Sequence, residues 1–84
     1  MGIFIGERIE QKTYQALRDK FDIAGKVAGY IAHGHTNEEI AHMYPEGRTY
    51  LSAIRAAQRV GELWWFAVFT TEEKGWLRDL GLIA

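Results

Sequence analysis

The sequence has no cysteine, a single proline and a formal net charge of only −1. Without cysteine there is no disulfide framework, no cysteine-ligated zinc site and no cysteine nucleophile. A small domain lacking disulfides suits a reducing compartment, so a cytoplasmic location is expected. Long apolar runs are missing too. The longest, Leu63 to Phe69, has seven residues, whereas a helix needs about 20 to span a bilayer, so no membrane partner is expected. The opening MGIFIGERIEQ lacks a basic stretch followed by a long apolar one, and does not read as a secretory leader. No glycine-rich phosphate loop or nucleophile motif occurs, so neither an enzyme nor a cofactor is expected.

The 84 residues suffice for one domain, residues 1–84, and the 48% hydrophobic and 25% charged content is that of an ordinary globular chain. Helical signals dominate. Tyr14, Leu17 and Phe21 share one face of a helix over about residues 7–21. Asp22 is a candidate N-cap for a second helix, in which Ala24, Val27, Ala28 and Ile31 recur at i, i+3, i+4 and i+7. Gly25 and Gly29 weaken that helix unless close packing compensates. Gly34 is placed to end it. Thr36 and Glu39 have capping-box spacing, and Pro45 limits the helix they open to about residues 37–43. Thr49 is a candidate N-cap for a longer helix reaching about Gly61. Thr70 and Glu73 form a second capping box, for a helix ending at Gly81 that buries Trp76, Leu77 and Leu80. Leu63 to Phe69 is rich in aromatics, which favours a strand over a helical continuation. The expected fold is mainly α: a helix-turn-helix domain of four to five short helices, with a small strand element near 63–69.

Charge is distributed unevenly over this pattern. Between Arg48 and Val60 there are three arginines and no acid, while Asp19, Asp22, Glu38, Glu39, Glu62, Glu72 and Glu73 lie in the flanking segments. At about 100° per residue, Tyr50, Ile54, Ala57 and Gly61 form an inward stripe, and Arg48, Ser52, Arg55 and Arg59 lie opposite. A short scaffold helix followed by a helix with such a face is the arrangement that enters the DNA major groove. Double-stranded DNA is therefore the expected partner, with Arg48, Thr49, Ser52, Arg55, Gln58 and Arg59 as candidate contacts. The competing reading is that the arginines form a solvated helix face.

The stretch IAHGHTNEEIA resembles the helices preceding the turn in the LuxR/FixJ class of bacterial transcription regulators. Ile31, Ala32, Gly34, Thr36, Asn37, Glu39, Ile40 and Ala41 carry the likeness. The same region is similar to small antitoxin-type helix-turn-helix proteins of the VapB-associated kind, through Glu38-Glu39-Ile40, Tyr44-Pro45 and Ile54-Arg55-Ala56-Ala57. Each resemblance covers about Val27 to Gly61 and implies DNA binding through the second helix, by a small regulator or antitoxin-like repressor. The link from Ala41 to Thr49 is shorter than in the LuxR class and contains Pro45, and the aromatic segment after Gly61 belongs to neither pattern.

His33, His35 and His42 lack the partners for a tetrahedral metal site, so no metal is expected. Glu38-Glu39 and Glu72-Glu73 sit at helix starts, where the helix dipole favours acids. The run Trp64-Trp65-Phe66 remains. As a strand it would be apolar on both faces, which one small domain cannot cover. Trp64, Trp65 and Phe66 are therefore expected at the interface of a homodimer or with another protein, the competing reading being that the aromatics only complete the core. An alternative role is a protein-interaction module or inhibitor, encoded by a phage or mobile element, that covers a surface on a larger partner.

Overall fold

A computed structural model describes residues 11–83. Its elements are α1 (Gln11–Ala32), α2 (Asn37–Met43), a 3-10 helix (Pro45–Tyr50), α3 (Leu51–Arg59), α4 (Trp64–Val68) and α5 (Thr71–Asp79), and there is no strand among the described residues. The mainly α fold and the helix, turn, helix order across residues 31–59 are as the sequence predicts. None of these helices is long and apolar enough to cross a membrane.

The predicted break at Asp22 is absent: α1 runs for 22 residues, about 33 Å at 1.5 Å per residue. Leu17, Phe21, Ala24, Ala28 and Ile31 alternate spacings of four and three, so one apolar stripe continues along the helix. Asp22 lies on the exposed side and has no reason to interrupt it. The part of the first predicted helix before Gln11 lies outside the described residues.

The end of α1 is set by Gly34. The Gly34 N–H donates to the Ile31 carbonyl at 3.0 Å and the His35 N–H to the Tyr30 carbonyl at 3.2 Å. These two bonds require a left-handed residue at Gly34, whose φ is +92°. The same paired bonds and positive φ recur at Gly61 and Gly81, closing α3 and α5. The Thr36–Glu39 box then opens α2. The Glu39 N–H donates to Thr36 Oγ1 at 3.1 Å, and the Thr36 N–H to Glu39 Oε1 at 2.9 Å. The Thr70–Glu73 box opens α5 with the same geometry.

Two apolar clusters share α1. The upper one joins Ala24, Val27, Ala28 and Ile31 to Ile40, Leu51 and Ile54; the lower one joins Leu17 to Phe69, Leu77 and Ile83. Each fully buried aliphatic side chain contributes roughly 1.5–3 kcal/mol. Trp64 and Val68 pack against both clusters. An ion pair from Lys20 to Glu73, at 3.4 Å, ties α5 to α1.

The strand expected at 63–69 is overturned, since Trp64–Val68 is a short α-helix. Strand preference of aromatics reflects their fit to a pleated surface beside a neighbouring strand, and no described residue supplies one. A helix instead gathers Trp64, Trp65, Val68 and Phe69 on the core side and leaves Phe66 and Ala67 in solvent. Of the two weakening glycines in α1, Gly25 has its compensation. The Trp64 ring packs so closely that an added Cβ would lie 3.4 Å from it, whereas Gly29 has nothing within 4 Å.

Candidate nucleic-acid interface

Pro45 starts the 3-10 helix, its fixed φ suiting the first helical position. Gly47 is buried in this turn against Val27 of α1 and the Tyr44 ring. The turn delivers the chain directly into α3. The Leu51 N–H bonds the Arg48 carbonyl, so Thr49 is an exposed residue of the 3-10 turn and not a cap. The helix begins at Leu51, one residue later than a cap at Thr49 predicts, and Tyr50 makes no side-chain cap.

This shift changes the inward stripe. Leu51, Ile54 and Ala57 are buried, Tyr50 is half-buried and Gly61 is exposed. The 3-10 turn advances by about 120° per residue instead of 100°, so the predicted phase does not hold before Leu51. Directly opposite the buried stripe stand Ser52, Ala56 and Arg59, at i, i+4 and i+7, all exposed. Arg48 and Thr49 are exposed at the N-terminal end of this face, whereas Gln58, though exposed, falls between Ile54 and Leu51 in helical phase and so lies on the other side of α3. No hydrogen bond or ion pair to a described residue occupies the side chains of Arg48, Ser52, Gln58 or Arg59.

Arg55 differs. Its Nε donates to Asn37 Oδ1 at 2.7 Å and its Nη2 to the His35 carbonyl at 2.8 Å. The rigid guanidinium fork therefore spans from α3 to the entry of α2. Sequence reasoning grouped Arg55 with the DNA contacts because helical phase alone cannot show a partner 18 residues away. The structure gives it a positioning role: it fixes α3 against the turn before α2.

The surroundings carry both signs. Glu38 and Glu39 are exposed on the first turn of α2, with Glu46 in the 3-10 turn and Glu62 beyond α3. The Thr36 backbone N–H holds the Glu39 carboxyl below its ordinary pKa, with help from His35, whose Nδ1 lies 3.5 Å away. His35 also meets the Tyr30 ring edge-on at 5.7 Å. The three histidines do not meet at one point: His33 bonds the Gly29 carbonyl at the end of α1, while His35 and His42 line an open depression with Glu38, Glu39 and Met43. No group of three His, Asp or Glu side chains among the described residues could hold a metal ion.

The aromatic residues expected at an interface separate into different roles. Trp64 is half-buried and packs against both clusters, with its ring centroid 5.1 Å from that of Phe21. Trp65 is half-buried against the lower cluster. Phe66 is 47% exposed, with Val60 at 69% and Leu63 at 53% beside it in the chain.

Fold and surface together define a small all-α domain in which an exposed face of α3 is polar and unengaged by the described residues. No protein-family model matches the chain, and no curated protein or solved structure shows significant similarity to it.

Proposed function

We propose that this chain is a small cytoplasmic regulator, or antitoxin-like repressor, that binds double-stranded DNA through α3. The observation carrying this reading is the outward line of Ser52, Ala56 and Arg59 on a helix pinned by Arg55, with Arg48 at its entrance. Short side chains at Ser52 and Ala56 let the helix backbone approach the floor of the major groove. Arg59 has the reach and the two parallel donors to pair with a guanine edge. Arg48 and Thr49, at the mouth of the helix, suit the phosphate backbone. The near-neutral charge supplies little long-range attraction, so affinity rests on these few contacts and the salt dependence is shallow. Arg48, the one cationic phosphate contact assigned per protomer, corresponds to a slope of about −1 in log K against log salt, since the neutral Thr49 hydroxyl releases no counterion.

The test is selection from a randomised duplex library, followed by anisotropy titrations at several salt concentrations. Arg59→Ala should weaken binding of the selected duplex by about 5–150-fold through a lost base contact. Arg48→Ala should reduce the salt slope by about one unit. Failure to enrich any duplex, with no binding tighter than micromolar at low salt, would sink the proposal. A second reading, a phage- or mobile-element-encoded module that covers a larger protein, is favoured by the exposed Val60, Leu63 and Phe66 and by the net charge of −1. A folded monomer that binds no duplex would transfer the weight to it.

A further inference from the structure

Asn37 is the first residue of α2, yet its side chain serves another helix. The start of α2 is already satisfied by the Thr36–Glu39 box, so the Asn37 amide is not needed as a cap. Its Oδ1 instead accepts from Arg55 Nε at 2.7 Å, while Arg55 Nη2 donates to the His35 carbonyl at 2.8 Å. A planar guanidinium held at two points cannot pivot. The turn it grips is fixed in its own right. The His35 N–H donates to the Tyr30 carbonyl at the end of α1, and the His35 ring meets that of Tyr30 edge-on.

The place of Arg55 on α3 gives this tie its consequence. The helix has nine residues and is seated through Leu51, Ile54 and Ala57. Apolar burial is non-directional, so these three contacts set the depth of the helix better than its roll. At about 100° per residue, Arg55 stands about 40° from buried Leu51 and about 40° from outward Arg59, one turn further on. It thus marks the boundary between the buried stripe and the exposed line on that flank. Hydrogen bonds are directional, and two of them at this boundary hold the roll. A roll of about 15° carries a side-chain atom roughly 6 Å from the helix axis through about 1.6 Å. That is enough to take an Arg59 donor out of hydrogen-bond range of a base edge.

We propose that Asn37 is a positioning residue for duplex binding: through Arg55 it sets the roll at which α3 presents Ser52, Ala56 and Arg59. The inference rests on the DNA reading of α3, and it adds a residue from outside that helix to what the reading requires.

Anisotropy titrations with the selected duplex, well below the melting temperature, test it. Asn37→Ala should weaken binding about tenfold, as when the competent roll falls to roughly one molecule in ten. Its salt slope should stay that of the wild type, because no charge is lost. Arg55→Ala should weaken binding at least as much, and adding Asn37→Ala to it should change nothing further, since both act through one bond. Arg55→Lys should not rescue, because an ammonium keeps the charge but lacks the fork that meets both acceptors. Thr70→Ala is the control for stability alone: it removes the α5 cap and should leave affinity unchanged. Wild-type affinity in Asn37→Ala, rescue by Arg55→Lys, or an equal loss in Thr70→Ala would each overturn the positioning role. Additive losses in the double variant would make Asn37 a direct contact and overturn it as well. These outcomes leave the DNA reading standing, whereas a wild type that binds no duplex removes that reading and the positioning role together.

Discussion

Gly47 offers the sharpest check on how α3 is placed. Its backbone is outside the left-handed region, so alanine there meets no φ strain, and its purpose is room. An added Cβ would collide with Val27 Cγ2 and stand 2.9 Å from Cδ2 of Tyr44, where carbon atoms need about 3.5 Å. Val27 is completely buried, and its branched side chain is stiff at χ1, so it cannot swing away. Overpacking of this kind costs about 1–3 kcal/mol. Gly→Ala recovers about 0.4–1 kcal/mol by restricting the unfolded chain. The expected net loss for Gly47→Ala is thus centred on about 1.3 kcal/mol, or roughly 5–10 °C in Tm for a domain this small. Thermal melts and urea titrations followed by circular dichroism measure it, with the urea slope unchanged if only the native packing is affected. The collision can also be relieved from the other side. Val27→Ala removes Cγ2, and in that background Gly47→Ala should cost less by at least about 1 kcal/mol, a coupling expected only between touching groups. Strict additivity, or a Gly47→Ala variant as stable as wild type, would refute the claim that the 3-10 turn is seated against α1 through a missing side chain.

Other glycines should respond with opposite signs. Gly29→Ala, in a helix interior with nothing within 4 Å, should stabilise by about 0.5–1 kcal/mol. Gly34→Ala, equally unobstructed but at φ +92°, should destabilise by about 1–2 kcal/mol through backbone strain; melts that move the same way for both would contradict this assignment. Glu39 predicts a pH effect. Its pKa is lower in the native protein than in the unfolded chain, chiefly because the Thr36 backbone N–H donates to it. Its stabilising contribution is present above the unfolded pKa and is lost as pH falls through the lowered native value. Glu39→Gln should therefore flatten the acid limb of the stability curve, and an unchanged limb would show that the cap bond carries no charge dependence.

Local chemistry was legible in the sequence where a few neighbouring residues decide the outcome. Thr36 with Glu39, Thr70 with Glu73, and the glycines at 34, 61 and 81 mark helix boundaries that the structure reproduces. Features decided by distant partners were not. Asp22 looks like a cap in isolation, but the apolar stripe on both sides of it carries the helix through. Trp64 to Phe69 has strand-like composition, and becomes helical because the two clusters along α1 accept Trp64, Trp65, Val68 and Phe69 together. Within α3, Ile54 and Ala57 are buried as predicted; Leu51 joins them, because the 3-10 turn ahead of the helix changes the angular step and leaves Tyr50 half-buried against the upper cluster. Arg55 has the same local appearance as Arg59, and only the folded chain brings it to Asn37 and the His35 carbonyl.

Trp64 and Val68 touch both apolar clusters, while α1 runs the length of both. The upper cluster contains α2, α3 and the 3-10 turn; the lower one contains α5 and the residues after it. Heat or denaturant thus acts on two half-sized units, each too small to hold together well alone, that share a spine, one indole and the smaller Val68 side chain. Shrinking that indole leaves the two units joined by α1 and Val68. Their cooperativity would then fall, with the C-terminal half opening and exchanging its amide protons ahead of the half that carries the arginines. Trp64 in this way decides whether the chain comes apart in one step or in two.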